Sequence, residues 1–179
     1  MFAERGFEET TLDDIAEALG VSRRTLFRYF ASKNDMVWGD FDWVLGRLRR
    51  CLDATAPDEP LHEALRRAAV QSNRYEDEQL SELRIRMRLI TGVPALQAHS
   101  ALRYAEWREV IASWVAERRA CRPGDLVPQA VAHAALGTSM AAFLVWVDDP
   151  ASDLVANLEE AYGLLGDGLR KLDSGTLPE

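Results

Sequence analysis

Apolar residues recur at intervals of three and four along most of the chain, which is the spacing of one face of an α-helix. An early case is the segment from Thr11 to Leu19, where Leu12, Ile15 and Ala16 share a stripe with Leu19 and Thr11 can cap the helix. No stretch alternates apolar and polar residues between turn residues, as a half-buried β-strand would. The pattern therefore predicts an all-α protein.

The first fifty residues contain three short helical segments in close succession. Gly20 ends the first segment, and Ser22 caps a second, Arg23 to Phe30, after a turn of three residues. Two short helices joined by a short turn that contains glycine form a helix-turn-helix. Ser32 caps a third and longer helix, whose apolar residues keep helical spacing as far as Leu48.

Longer helices are predicted beyond this region. Gly92 and Pro94 separate two of them, because glycine and proline interrupt helices. The predicted segments are Leu61 to Asn73, Asp77 to about Thr91, His99 to Arg119, Val127 to Val147 and Asp153 to Leu172.

Charge is distributed unevenly along the chain. The sequence has 21 Lys and Arg against 29 Asp and Glu, a net charge of −8, which argues against a histone-like basic protein. The stretch from Leu19 to Asn34 nevertheless carries four basic residues and no acidic one. Such a patch is either a solvated helix face or the footprint of a nucleic acid.

The faces of the second short helix favour the nucleic acid. Leu26 and Phe30 are predicted to point inward with Ile15 and Leu19. Arginine pairs with guanine edges, while Thr, Tyr and Lys are common donors to phosphates. The outward residues suited to bases are Arg23, Arg24, Phe27 and Arg28, and those at four-residue steps suited to phosphates are Thr25, Tyr29 and Lys33.

Three stretches, at residues 2–7, 10–16 and 20–33, resemble the DNA-binding domain of the TetR family. The resemblance implies a DNA-binding domain over residues 1–50 and a helical effector-binding and dimerisation domain over residues 51–179. It also implies the role of individual side chains. It places Arg23, Arg24, Thr25, Phe27 and Arg28 on the recognition helix and Thr11, Tyr29 and Lys33 at phosphate contacts.

The N-terminal region departs from the family in its first helix. Family members usually begin with a basic arm and a full helix before the Phe-Ala-Glu-Arg-Gly-Phe stretch, and here Met1 stands where that helix is nearly finished. We therefore expect a truncated first helix and a small core that lacks one wall.

The second half has a resemblance of its own. Residues 86–90, 93–99 and 102–108 are similar to regulators associated with mycofactocin gene clusters, and residues 34–42 support that subgroup. This resemblance implies sensing of a small hydrophobic effector, namely a long-chain acyl-coenzyme A.

An effector pocket is expected among the helices predicted over residues 77–91, 99–119 and 131–147. Flexible Met beside rigid Trp suits an alkyl chain, and an Arg at the mouth suits an anionic head group. The alternatives are an ordinary aromatic core and an Arg that merely extends to water. The predicted lining is Met87, Ile90, Trp107, Ile111, Met140 and Phe143, with Arg86 or Arg103 receiving the head group.

The segment Val131 to Val147 has no formal charge. Its 17 residues fall short of the ~20 that a membrane span needs, so no membrane contact is expected. A helix that is apolar all round must be covered on all sides. With the leucine stripe of the last helix it predicts a homodimer, and the alternative is a monomer in which both helices complete one core.

Enzyme chemistry has no support in the sequence. No nucleophile is paired with a base, no phosphate loop is present, and His62, His99 and His133 are scattered, so neither a metal nor a cofactor is expected. The N-terminus has no apolar signal core, which favours a cytoplasmic location. The sequence predicts a dimeric repressor of a palindromic DNA operator that its effector releases. The alternative is a ligand-binding and dimerisation module that cannot bind DNA because its first helix is incomplete.

Overall fold

A computed structural model describes the backbone of residues 1–173 and the side chains of residues 1–166. Over these residues the chain forms ten α-helices and no strand, which confirms the all-α prediction. The helices are α1 (Phe2–Arg5), α2 (Leu12–Ala18), α3 (Arg23–Tyr29), α4 (Lys33–Trp38), α5 (Phe41–Asp53), α6 (Leu61–Ser72), α7 (Asp77–Gly92), α8 (Pro94–Arg119), α9 (Leu126–Asp148) and α10 (Leu154–Asp173).

The helices group into two compact units. Unit 1 comprises Met1–Asp40 and Asp77–Ala101, and unit 2 comprises Phe41–Glu76 and the chain from Leu102 onward. Each unit is therefore built from two separate stretches of sequence. The division into domains at residue 50 stays a prediction.

Side-chain caps begin three of the short helices of unit 1, as predicted. Thr11 and Asp14 form a capping box at the start of α2, and the hydroxyls of Ser22 and Ser32 accept hydrogen bonds from backbone N–H groups in α3 and α4. Such caps stabilise helices too short to persist alone. Helix α2 packs against α3, and α4 packs against α7.

The long helix expected after Ser32 is in fact two helices. Helix α4 ends at Gly39, whose φ of 62° and ψ of −143° lie in a region that side chains strongly disfavour. A Cβ atom added there would also lie 3.4 Å from the guanidinium of Arg86. The periodic apolar pattern continues through the break, which is why the pattern alone did not reveal it.

The break at Gly92 and Pro94 is confirmed, but α8 begins earlier than predicted. It starts at Pro94 rather than His99, because proline is well suited to the first position of a helix, where no internal N–H bond is needed. The N–H groups of Leu96 and Gln97 both donate to the carbonyl of Val93 at 3.0 Å.

Unit 2 has its core where α10 packs on α9 and α6, and α5 packs on α6. Its apolar side chains include several that are almost completely buried: Leu52, Leu65, Ile111, Val115, Val131 and Leu158. Inside this core the hydroxyl of Tyr162 donates to the carbonyl of Ala135 at 3.0 Å. It lies 2.9 Å from the hydroxyl of Ser139, which therefore donates to it.

Helix α9 is longer than the uncharged segment used to predict it. With 23 residues it is long and apolar enough to cross a membrane by length and composition alone, a property that core helices of globular proteins share. The expectation that it would be too short was wrong. On α10, Leu154, Leu158 and Tyr162 are buried as the stripe predicts, whereas the side chains of Leu169 and Leu172 lie outside the described residues.

Candidate nucleic-acid interface and effector site

Helix α3 presents its basic residues to solvent. Arg23, Arg24 and Arg28 are exposed, while Leu26, on the opposite face, is 5% exposed and anchors the helix. Phe27 is 45% exposed, which is unusual for a large apolar side chain. The face therefore combines cations with one apolar surface, as predicted from the helical spacing.

Arg23 lies between an acid and an aromatic ring. Its guanidinium is 3.5 Å from a carboxylate oxygen of Asp13 on α2 and 5.6 Å from the centre of the Phe27 ring. Both arginine and aspartate are exposed, so this ion pair contributes little stability. Arg23 can exchange Asp13 for a DNA group at little cost.

Arg28 and Tyr29 form a second stacked pair. The guanidinium lies 4.9 Å from the centre of the Tyr29 ring and donates to its hydroxyl at 3.2 Å. Arg24, by contrast, is exposed and has no ion pair or hydrogen bond with another described residue. Neighbouring side chains therefore hold Arg23 and Arg28 in place, whereas no described side chain holds Arg24.

Thr11 and Thr25, both predicted to contact DNA, also form hydrogen bonds at the starts of helices. Thr11 donates from its N–H and its hydroxyl to the carboxylate of Asp14, at 2.7 Å and 2.6 Å. These bonds hold the pKa of Asp14 below its usual range. The N–H of Thr25 donates to the hydroxyl of Ser22 at 3.1 Å. Both threonines therefore sit at the start of a helix.

Lys33, predicted at a phosphate, turns toward the protein. Its ammonium group donates to the backbone carbonyls of Phe7 and Thr10, at 2.7 Å and 3.2 Å. It also lies 4.2 Å from the centre of the Phe7 ring. Its contact with DNA stays a prediction.

One inward position was predicted wrongly. Leu19 was expected beside Ile15, Leu26 and Phe30, but it is 63% exposed. Leu19 is the C-cap of α2 and keeps helical backbone angles, with its N–H donating to the carbonyl of Ile15 at 3.1 Å, so its exposure means that little of the described chain packs against it. Ile15 and Phe30 are half-buried, and Leu26 is buried.

The predicted effector residues fall in both units. In unit 1, Met87 and Ile90 are buried and Arg86 is half-buried. In unit 2, Ile111 is buried on α8, and Phe143 stacks edge-on against Trp146 on α9 with ring centres 6.2 Å apart. The half-buried members of unit 2 are Arg103, Trp107, Met140 and Phe143.

Both candidate head-group arginines have contacts within their own units. Arg86 packs its guanidinium over Gly39, at the end of α4. Arg103 pairs with Glu106 at 3.3 Å and lies 5.6 Å from the centre of the Phe41 ring. An anionic ligand would have to compete with these contacts.

One histidine contact was not predicted from the sequence. The Nε2 atom of His99 lies 3.0 Å from a carboxylate oxygen of Asp35, and both side chains are mostly buried. The two residues are 64 positions apart, so no local pattern could have linked them. Among the described residues, no three His, Cys, Asp or Glu side chains are grouped so as to hold a metal ion.

Comparison with known families matches both halves of the chain. The profile of bacterial regulatory proteins of the tetR family matches residues 1–37. The profile of the MftR C-terminal domain matches residues 59–170.

Similar proteins are transcriptional regulators rather than enzymes. One relative is the protein named as the mycofactocin biosynthesis transcriptional regulator MftR of Mycobacterium tuberculosis (strain ATCC 25618 / H37Rv). It is 42% identical over 97% of this chain and 87% of its own length. The HTH-type transcriptional repressor KstR2 of the same strain is 40% identical over 44% of this chain and 45% of its own length.

A solved structure supports the fold. The TetR family transcriptional regulator PfmR from Thermus thermophilus aligns with a TM-score of 0.50 and 19% identity over 93% of this chain and 92% of its own. With the two family profiles, it leads to one assignment: this chain belongs to the TetR family of bacterial transcriptional regulators and has a C-terminal domain of the MftR type.

Proposed function

We propose that this chain is a cytoplasmic, dimeric repressor that binds a palindromic operator through α3 and is released from it by a long-chain acyl-coenzyme A. The observation that carries the proposal is the exposed arginine face of α3. The repressor named KstR2 is among its relatives, which supports the direction of regulation.

Contacts to DNA divide by chemistry. Arg23 and Arg28 suit guanine edges in the major groove, and exposed Phe27 suits the methyl group of thymine. Arg24, which is exposed and makes no ion pair or hydrogen bond within the described chain, suits a phosphate. The neutral hydroxyls suit phosphates, which fix the position of the protein without reading sequence. They belong to Thr11, Thr25 and Tyr29.

The dimer follows from an exposed stripe on α9. Residues at steps of three and four along this helix stay exposed in the single chain, although all but one are small or apolar. On α10, Leu164 is 78% exposed. A second copy packed by a twofold axis covers both helices and places two α3 helices on two half-sites. The stripe consists of Leu126, Ala130, His133, Gly137, Ala141, Leu144 and Val145, and the charged last residue of α9, Asp148, is also exposed but is not counted in it.

The effector proposal rests on an apolar lining with few cations nearby. Within unit 1, Met87 and Ile90 supply buried apolar surface, and a thioether adapts to an irregular alkyl chain. Arg86 or Arg103 then receives the phosphates of the coenzyme A head group. To release DNA, the ligand must bind the two conformations unequally, with a coupling of about 1–3 kcal/mol.

A gel shift tests the proposal. The probe is a duplex that the unaltered chain selects from a random-sequence pool. A long-chain acyl-coenzyme A should lower affinity for this duplex by about five- to 150-fold, whereas free coenzyme A should do much less. If acyl chains of every length leave the shift unchanged, the effector proposal fails and DNA binding stands.

The head-group arginine is tested by Arg86→Ala, with Arg103→Ala as its matched variant. Loss of the ligand response with intact ligand-free binding identifies the anchor. Because Arg86 packs over Gly39, its replacement can also disturb α4. A change in DNA affinity alone would therefore assign Arg86 to the structure and remove it from the effector site.

A second candidate is a dimerisation and ligand-binding module that does not bind DNA in this form. The exposure of Leu19 favours it, since an apolar side chain on α2 lacks a covering surface. A gel shift of this chain beside one extended upstream separates the two candidates. Binding by the extended chain alone would support the module.

A further inference from the structure

The ammonium group of Lys33 is directed at the backbone just before α2. Three carbonyl oxygens surround it, those of Phe7 at 2.7 Å, Thr10 at 3.2 Å and Glu8 at 3.5 Å. An ammonium has three N–H donors, so it can donate to all three of these carbonyls. The face of the Phe7 ring, 4.2 Å away, adds a cation–π contact.

The segment that Lys33 holds is itself well ordered. Phe7 is 4% exposed and Thr10 is completely buried. The hydroxyl of Thr10 donates to the carbonyl of Gly6 at 2.7 Å, which closes a loop between α1 and α2. Lys33 thus joins the start of α4 to a turn more than twenty residues earlier in the chain.

This turn leads directly into the helix that supports α3. Thr11 directly follows Thr10, whose carbonyl accepts from Lys33, and it forms the capping box of α2 with Asp14. The contact of Lys33 is therefore adjacent in sequence to the first turn of α2. Helix α2 packs on α3, and Asp13 of α2 lies 3.5 Å from Arg23. A displacement of the turn would therefore be passed to the arginine face.

We propose that Lys33 is a positioning residue for DNA recognition, which fixes the turn at residues 7–10 and through it α2 and α3, and that it makes no phosphate contact. The proposal rests on the proposed binding of DNA through α3. It assigns to Lys33 a role unlike the phosphate contact that the family resemblance implies.

Salt dependence separates the two roles. A side chain that neutralises a phosphate contributes about 0.9 to the slope of log affinity against log salt concentration. Lys33→Met keeps most of the apolar stem and removes the donors. As a positioning residue, Lys33 should leave the slope unchanged on replacement. Arg24→Ala is the matched control, because Arg24 is exposed and should lower the slope by about 0.9.

Discrimination is the second measurement. Two duplexes of equal length are used, one selected by the unaltered chain from a random pool and one of mixed sequence. At a temperature where circular dichroism shows Lys33→Met to be folded, affinity for the selected duplex should fall about tenfold, the effect of one lost hydrogen bond to a charged group. Affinity for the mixed duplex should change little. A lower melting temperature with unchanged discrimination would reduce Lys33 to a stabilising residue and overturn the proposal.

Hydrogen exchange without DNA provides the third measurement. The amide of Ile15, which donates to the carbonyl of Thr11 at 3.2 Å, should exchange faster in Lys33→Met and not in Arg24→Ala. Phe7→Leu, which keeps the carbonyls and removes the ring, should act in the same direction more weakly and serves if Lys33→Met does not fold. A slope lowered by about 0.9 with unchanged exchange would overturn the proposal. If the unaltered chain selects no duplex from the random pool, the proposed function fails, and unchanged exchange in Lys33→Met would then refute the fixing of the turn separately.

Discussion

Helices α3 and α9 both leave much of their surface uncovered in the single chain, but they expose opposite chemistry. Helix α3 exposes arginines and two aromatic side chains, Phe27 and Tyr29, whereas α9 exposes small and apolar residues along one stripe. Neither surface is explained by the packing of its own unit.

The difference indicates the kind of partner each surface takes. Exposed cations are well hydrated in water, and when they bind a polyanion they release the counterions condensed on it, so binding through α3 depends on salt. Contact with water raises the free energy of an exposed apolar stripe, and another apolar surface that covers the stripe lowers it. A second copy of the chain supplies that surface in our proposal. The two helices therefore respond to different substitutions.

The largest effect is expected on α9. Ala141 lies in the exposed stripe, and Ala141→Glu would place a carboxylate inside the proposed dimer interface. An unpaired buried charge costs about 3–5 kcal/mol, so the dimer dissociation constant should rise more than about 100-fold. Light scattering at micromolar concentration should show a monomer or insoluble protein.

The matched control is Ala105→Glu on α8, where the side chain is also exposed but lies outside α9 and α10. It should leave the dimer intact. A monomer in the unaltered chain at the same concentration would remove the proposed interface and leave the stripe of α9 unexplained.

The next effect concerns the buried side of α9. Burial raises the pKa of Tyr162 to about 12, from an ordinary value of 10.0. The folded chain holds the phenolic proton of Tyr162 more tightly than the unfolded chain does. The resulting contribution to the free energy of unfolding is therefore complete below pH 10 and is lost as pH rises through 12. At pH 11 the loss should be about 1.4 kcal/mol.

Urea unfolding at pH 8 and pH 11 measures this loss. Tyr162→Phe removes the titration and also the hydrogen bond to Ala135, so it should be less stable at pH 8 and lose less between the two pH values. Equal losses in both chains would show that Tyr162 does not titrate in this range. The experiment tests α9 on the side that contacts α10, independently of the dimer.

The helix-turn-helix could largely be predicted from the sequence, because residues close together in the chain determine it. The caps at Thr11, Ser22 and Ser32 are local signals, and the structure has all three. The exposed face of α3 followed from helical spacing within a few residues. Local chemistry therefore sufficed for the helix-turn-helix.

Other features depend on distant residues and could not be predicted in that way. The break at Gly39 interrupts an unbroken apolar pattern, and Arg86, which packs over it, is 47 positions away along the sequence. Lys33 contacts carbonyls 23 to 26 positions earlier. A backbone carbonyl carries no side-chain signal, so a lysine that binds carbonyls looks like any other surface lysine.

An effect of comparable size is expected for sequence discrimination by α3. Arg28→Ala and Arg23→Ala each remove a guanidinium proposed to contact a base edge, which is worth about 1–3 kcal/mol of discrimination. Affinity for the selected duplex should fall more than affinity for a mixed duplex of the same length. Fluorescence anisotropy with both duplexes measures the ratio. Equal losses on both duplexes would assign these arginines to phosphates.

The smallest effect is expected for Tyr29→Phe. The change keeps the ring that stacks under Arg28 and removes the hydroxyl that accepts from it at 3.2 Å. Because Tyr29 is exposed, loss of one hydrogen bond from its uncharged hydroxyl to a phosphate should cost no more than a typical hydrogen bond, about 0.5–1.5 kcal/mol, so both duplexes should bind roughly two- to tenfold more weakly. Because a hydroxyl carries no charge, it displaces no counterion, and the salt slope should not change. Arg24→Ala, measured in parallel, should lower the slope by about 0.9, since Arg24 is exposed and charged. A lower slope for Tyr29→Phe would mean that the hydroxyl holds Arg28 at a phosphate, and would turn a neutral contact of α3 into a charged one.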